Sequence, residues 1–194
     1  MRFVVVLVAL LAPTLSAQSP PTDSMEYVST FEQGEGTDVV MVFVTSQDCY
    51  WSGTATVQDA VRRAKTLLQA RAEAEGKRFS AVGVVKNYDW EEGIAFLSRF
   101  GYFDEVIAGR SWFNTGVVEH CHMQADCDPS MPMVRVFERE VTNEDLPDGR
   151  FRRVFGPRNY LLTVTDGRPA EESPGGIAAW VAAGAPLDQA WASN

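Results

Sequence analysis

The feature that most constrains this chain is the run Val39-Val40-Met41-Val42-Phe43-Val44, six apolar residues in a row, most of them β-branched. A short run of this kind reads as a strand buried on both faces, so the sheet it belongs to needs cover on both sides. A polar turn follows, Thr45-Ser46-Gln47-Asp48-Cys49-Tyr50-Trp51-Ser52. Beyond it, Val57, Val61, Ala64 and Leu68, flanked by Ala60 and Leu67, fall on one helical face, which predicts a helix over roughly Thr56 to Glu75 ended by Gly76. Phe79 to Val85 reads as a second apolar strand. Strand, helix and strand make a βαβ unit, whose two strands run parallel.

The rest of the chain continues in the α/β manner. Asp89 is placed to cap a second helix, with Glu92 three residues on as in a capping box, and Gly101 to stop it. Glu105 to Ala108 reads as a short strand, and Met133 to Phe137 as a strand opened by Pro132. Asn143 to Gly149 reads as a charged turn, Phe151 to Phe155 as the return of a hairpin, Tyr160 to Thr165 as a strand and Ile177 to Ala183 as a short helix. The expected fold is α/β: a central mixed sheet of about five strands with helices on both faces. The domain is expected over residues 38–183, with a C-terminal tail over 184–194.

The first residues read as a leader. Arg2 precedes the apolar run Phe3 to Ala12, Pro13 breaks it, and Leu15-Ser16-Ala17 offers small residues to a signal peptidase. The run falls short of the about 20 apolar residues that span a bilayer. Residues 1–17 are therefore expected to be a cleaved signal peptide, and the protein to be exported, periplasmic or secreted. Residues 18–37 follow as a flexible lead-in with a first strand at Glu26 to Phe31. The formal net charge is -9, and loss of Arg2 with the leader leaves the mature chain one unit more acidic. Acidity without a basic tract argues against nucleic acid or an anionic membrane as partner.

The strand Val39 to Val44, the turn Cys49-Tyr50-Trp51-Ser52 before a helix, and Met131-Pro132 opening the strand Met133 to Phe137 together resemble the thioredoxin superfamily. The resemblance spans roughly residues 38–183. It implies a thioredoxin-like fold, a reactive cysteine at Cys49, and a cis-proline at Pro132 whose preceding residue, Met131, lies opposite that cysteine. It also implies thiol or disulfide partners, protein or small molecule. The chain departs from the family in carrying Ser52 where the second cysteine of Cys-x-x-Cys would stand. A monothiol can form a mixed disulfide but cannot release it by attack from the neighbouring position. The expected activity is thiol/disulfide exchange through one cysteine. The alternative is a non-catalytic binding or scaffold module on the same fold.

Local physics bears on the choice. A helix beginning near Tyr50 would present its unpaired N–H groups to the Cys49 sulfur and favour a thiolate, with Ser52 placed to donate a hydrogen bond to it. A helix delayed by Gly53-Thr54-Ala55-Thr56 would withhold that support, and Tyr50 and Trp51 could bury the thiol.

The chain has three cysteines. Export favours disulfides, and the simplest pairing is Cys121 with Cys127, leaving Cys49 free, although sequence alone does not exclude Cys49 as a partner. Glu119-His120-Cys121-His122 and Asp126-Cys127-Asp128 also bring together groups suited to zinc or copper, but the spacing is not that of a structural zinc site, so the bridge is preferred and no metal is expected. Arg110-Ser111-Trp112-Phe113-Asn114-Thr115-Gly116 reads in two ways. Its aromatics line a ligand groove, or they cover the sheet while Asn114 or Thr115 caps a short helix; the second is preferred. No phosphate loop, Ser-His-Asp order or paired-carboxylate spacing is present, and no cofactor is expected.

Overall fold

The computed structural model describes residue 27 and residues 34–124 and 130–188. The expected signal peptide, most of the Glu26 to Phe31 strand, and Cys127 lie outside the described residues. Among those described, no helix is long and apolar enough to cross a membrane.

The apolar run sits at the centre. Strand β1 (Gly36–Thr45) is buried from Asp38 onward. It pairs in parallel with β2 (Arg78–Val85) on one side and antiparallel with β4 (Met133–Asp145) on the other. Helix α1 (Ala55–Ala74) makes the crossover between β1 and β2. Helix α2 (Trp90–Leu97) follows β2, and β3 (Glu105–Ile107) adds a parallel edge strand beside it. The far edge of β4 takes two partners in succession: β6 (Asn159–Thr165) along Met133 to Glu138, and β5 (Phe151–Phe155) along Val141 to Asp145. The result is a mixed α/β sheet of six strands.

Alternate side chains of β1 enter two cores, as the strand period of two requires. Val39, Met41 and Phe43 pack with Val57, Val61, Ala64 and Leu68 of α1, with Phe96 and Leu97 of α2, and with Trp180 of α4 (Ile177–Ala182). Val40, Val42 and Val44 pack on the other face with Val117, Cys121, Met133 and Phe137. The cover there is α3 (Thr115–Val117) and the π-type turn Val118–His122 that continues it. Helices thus lie on both faces.

Several local readings need correction. Strand β4 continues through Asn143 to Asp145, which read as turn, because β5 pairs with those residues. Asp89 does cap α2, accepting from Glu91 N and Glu92 N, but the Glu92 carboxylate takes a bond from Gln47 Nε2 at 3.2 Å. The packed chain also runs past Ala183. Ala185 is buried, and its carbonyl and that of Gly184 accept from Arg71 at 2.7 and 3.2 Å, respectively. Trp180 Nε1 donates to Pro186 O at 2.9 Å. On the lead-in side, β1 begins at Gly36, and Tyr27 is buried against Phe79 with its hydroxyl donating to Asp104 at 2.6 Å.

One residue of α1 breaks the apolar pattern. Lys65 occupies the buried face between Val61 and Leu68 and is 0 % exposed. Its ammonium donates to Phe100 O at 2.8 Å and Tyr102 O at 2.5 Å, and lies 4.1 Å from the Phe103 ring centroid. A charge is tolerated there because those carbonyls and that ring replace its water.

Candidate functional site

The parallel strands β1, β2 and β3 all end on one edge of the sheet, and antiparallel β4 begins there. Cys49 and Met131-Pro132 meet on this edge. After β1 the chain turns with Cys49 N donating to Ser46 O at 3.1 Å and Asp48 N to Ser46 Oγ at 3.3 Å. Cys49 is a free, half-buried thiol. Its Sγ donates to Met131 O at 3.2 Å. The Met131–Pro132 bond is cis, and Pro132 is buried.

The helix does not begin at the cysteine. Residues Trp51–Gly53 form a single 3₁₀ turn, and Thr54 then extends at φ -74° and ψ 150°. Thr54 caps α1, its hydroxyl accepting from Val57 N at 3.4 Å. Thr54 N itself donates to Trp51 O at 3.2 Å, so the N–H groups that could support a thiolate belong to the first turn of α1, which starts at Ala55, after Cys49. Ser52 departs from expectation as well. It is 0 % exposed, and its hydroxyl makes no hydrogen bond, so it does not donate to the Cys49 sulfur. Tyr50 stands on Trp51 edge-on at 5.0 Å and is 78 % exposed, so it does not cover the thiol.

A residue that sequence reasoning missed closes the site from below. Gly167, in the loop between β6 and α4, is so tightly held that an added Cβ would lie 2.8 Å from Pro132 Cγ, 2.8 Å from Val57 Cγ2 and 2.9 Å from Trp51 Cβ. The thiol turn, the first turn of α1 and the proline that opens β4 all converge on this glycine. Its loop is fixed by Asp166, whose carboxylate accepts from Arg168 N at 2.9 Å, Nε at 2.8 Å and Nη2 at 2.5 Å. Those bonds to Arg168 hold the Asp166 carboxyl at about 2, against burial that would raise it.

The two histidines separate. His120 is buried beside Phe137, ring centroids 6.1 Å apart, while exposed His122 lies 6.0 Å from Trp112. Burial pushes His120 down to about 4, the neighbouring Arg158 adding to the effect. Cys121 is buried on the same turn, and its expected partner Cys127 lies outside the described residues. Among the described residues no group of three His, Cys, Asp or Glu side chains is placed to hold a metal ion.

The Arg110 to Gly116 loop divides its roles. Asn114 caps α3, accepting from Gly116 N at 2.9 Å and Val117 N at 3.3 Å, while its amide donates to Gly109 O at 3.1 Å. The aromatics do not cover the sheet: Trp112 is 39 % and Phe113 78 % exposed. Arg110 and Ser111 both take left-handed φ angles, 57° and 52°, immediately before them. Lys86 Nζ sits 4.2 Å from the Trp112 centroid. No protein-family model, curated protein or solved structure matches the chain.

Proposed function

We propose that this chain is an exported, thioredoxin-like protein that carries out thiol/disulfide exchange through Cys49 alone. The observation that carries the reading is the free Cys49 thiol, partly open to solvent, with its sulfur on the Met131 carbonyl at the edge where three strands end and β4 begins. The order β1, thiol turn, α1, parallel β2, then antiparallel β4 opened by Pro132 and backed by α4 supports the thioredoxin-like assignment. The edge strand β3 and the extension of β4 with β5 are additions to that plan.

The chemistry balances without a second cysteine. The Cys49 thiolate attacks one sulfur of a disulfide, forms a mixed disulfide and expels the other sulfur as a thiolate. An external thiol then attacks the substrate sulfur of the mixed disulfide and returns Cys49 to its reduced form. The net reaction exchanges one disulfide for another. Ser52 cannot replace the external thiol, because an alcohol does not cleave a disulfide and its hydroxyl is turned inward.

A binding-module reading has one observation in its favour: α1 is capped by Thr54, so the thiol stands apart from the helix terminus. Incubation of the folded protein with glutathione disulfide separates the two. Exchange predicts a single glutathione adduct on Cys49, removed by added thiol and absent from Cys49→Ser. A folded protein that stays unmodified, while the unfolded chain takes the adduct, would leave the binding module as the answer.

A further inference from the structure

The second face of the sheet holds charges that the thiol site does not use. A half-enclosed cavity of about 60 Å³ lies there, walled in part by Phe137 and reached by Arg139, Arg158, Glu119 and His120. The charges around it are unevenly matched. Asp38, 1 % exposed, already pairs with Arg78 at 2.6 Å, and Arg139 Nε reaches the same carboxylate only at 3.6 Å. Arg139 Nε is buried and makes no hydrogen bond. Arg158 pairs with Glu119, whose side chain is 44 % exposed and so is readily displaced into water. Glu105 stands on the rim and is itself exposed, so solvent screens it. His120, 5 % exposed, lines the same cavity with Nδ1 unbonded. The Arg139 side chain is only partly buried, 20 % exposed with its guanidinium carbon 4.2 Å from the Phe155 ring centroid, but its Nε is buried without a hydrogen bond. That atom, beside a buried unpartnered imidazole nitrogen, is costly unless something polar fills the space.

Directly outside lies an open groove of about 550 Å³, walled by Phe113, Val118 and Met123. Glu119 and Arg158 belong to both spaces. Phe113 and Met123 are 78 % and 73 % exposed, an unusual display of large apolar groups around one arginine. The volume falls within the about 300–1,000 Å³ of small-molecule sites.

We propose that the groove and cavity together form a binding site for an amphiphilic carboxylate, its apolar tail on Phe113, Val118 and Met123 and its carboxylate at Arg158 and Arg139. Glu119 swings out to water as the ligand head replaces it on Arg158. His120 supplies a further donor to the head through Nδ1–H. The cavity has room for a carboxylate but not for a tail, and the groove has apolar walls but one cation, so only a ligand with both parts satisfies the whole. The site does not involve Cys49.

Titration with acetate, octanoate and octanol, followed by calorimetry, tests this. Acetate offers the head alone and octanol the tail alone. Each fully buried methylene is worth about fourfold in affinity, so octanoate is expected to bind at least about tenfold more tightly than acetate even in an open groove. It is also expected to bind at least about tenfold more tightly than octanol, the preference that a charged hydrogen bond supplies. Arg158→Gln should remove the preference for octanoate over octanol. Met123→Ser, at an exposed position that leaves the fold intact, should bring octanoate towards acetate, and Cys49→Ser should change nothing. Equal binding of octanol and octanoate, or of acetate and octanoate, or no binding of any, overturns the proposal. Because the readout is binding, it stands or falls separately from disulfide exchange.

Discussion

Gly167→Ala tests how the thiol site is held together. An ordinary carbon–carbon contact lies at about 3.5–4.0 Å. The new methyl would start 2.8 Å from Pro132 Cγ, 2.8 Å from Val57 Cγ2 and 2.9 Å from Trp51 Cβ, so it must gain more than half an ångström on three sides at once. None of the three can yield easily: one is a proline ring atom, one belongs to a β-branched side chain with a stiff rotamer, and one is anchored to the backbone. Overpacking of a tight site costs about 1–3 kcal/mol, and this geometry belongs at the upper end. Relief comes from moving Pro132 or the thiol turn, and either movement alters the contact between Cys49 Sγ and Met131 O. Gly53→Ala serves as the control, since a Cβ there meets nothing within 4 Å although it lies in the same turn. Urea unfolding should place Gly167→Ala about 2–3 kcal/mol below the parent and leave Gly53→Ala within about 0.5 kcal/mol. The rate of Cys49 alkylation should change in the first variant alone. A Gly167→Ala protein with parental stability and parental Cys49 reactivity would refute the reasoning.

Lys65→Met keeps most of the side-chain volume but abandons the carbonyls of Phe100 and Tyr102; a loss of about 1–3 kcal/mol in urea unfolding is expected, and an unchanged midpoint would contradict the role given to the ammonium. His120 has a folded value of about 4 against 6.5 for the free group, so the unfolded chain binds its proton first as pH falls. Its contribution is complete above about pH 6.5 and lost on the way down to about 4, amounting to about 3 kcal/mol. His120→Gln should flatten the stability profile across that window, and an unaltered slope would count against burial as the cause. Cys121 and Cys127 are expected to appear as one linked peptide under non-reducing conditions, their closed loop contributing about 2 kcal/mol. A linked peptide containing Cys49 would contradict both the pairing and the monothiol mechanism.

Much of the fold was legible because its signals are local. The apolar run of β1, the one-sided pattern of α1 and the caps at Asp89 and Asn114 depend on neighbours a few residues away. The length of β4 was not legible: Asn143, Glu144 and Asp145 have turn-like composition, and only pairing with β5 makes them strand. The burial of Lys65 was not legible either, because the carbonyls that receive its ammonium lie 35 and 37 residues ahead. Trp112 and Phe113 were read as cover for the sheet, the usual fate of large aromatics, but the left-handed backbone before them directs them outward.

The candidate site was legible to a smaller degree. Cys49 and Met131 are brought into contact across 82 residues, a juxtaposition carried in the sequence only by the resemblance. The delay of α1 to Ala55 was signalled by Gly53 and Thr54, a glycine and a capping residue between the cysteine and the first helical turn. Nothing near Ser52 indicated that its hydroxyl would turn inward. Gly167 carried no signal at all, since an Asp-Gly-Arg turn looks the same whether its glycine faces solvent or meets Pro132, Val57 and Trp51.

The most direct test of the central claim compares the rate at which Cys49 exchanges with a disulfide-bonded peptide in the folded protein and in the urea-unfolded chain at the same pH, the adduct being mapped by peptide mass. The account predicts faster exchange in the folded state, confined to Cys49, and loss of that advantage when Gly167→Ala disturbs the contact with Met131. A thiol that reacts only after unfolding would contradict it and leave Cys49 as a packing residue.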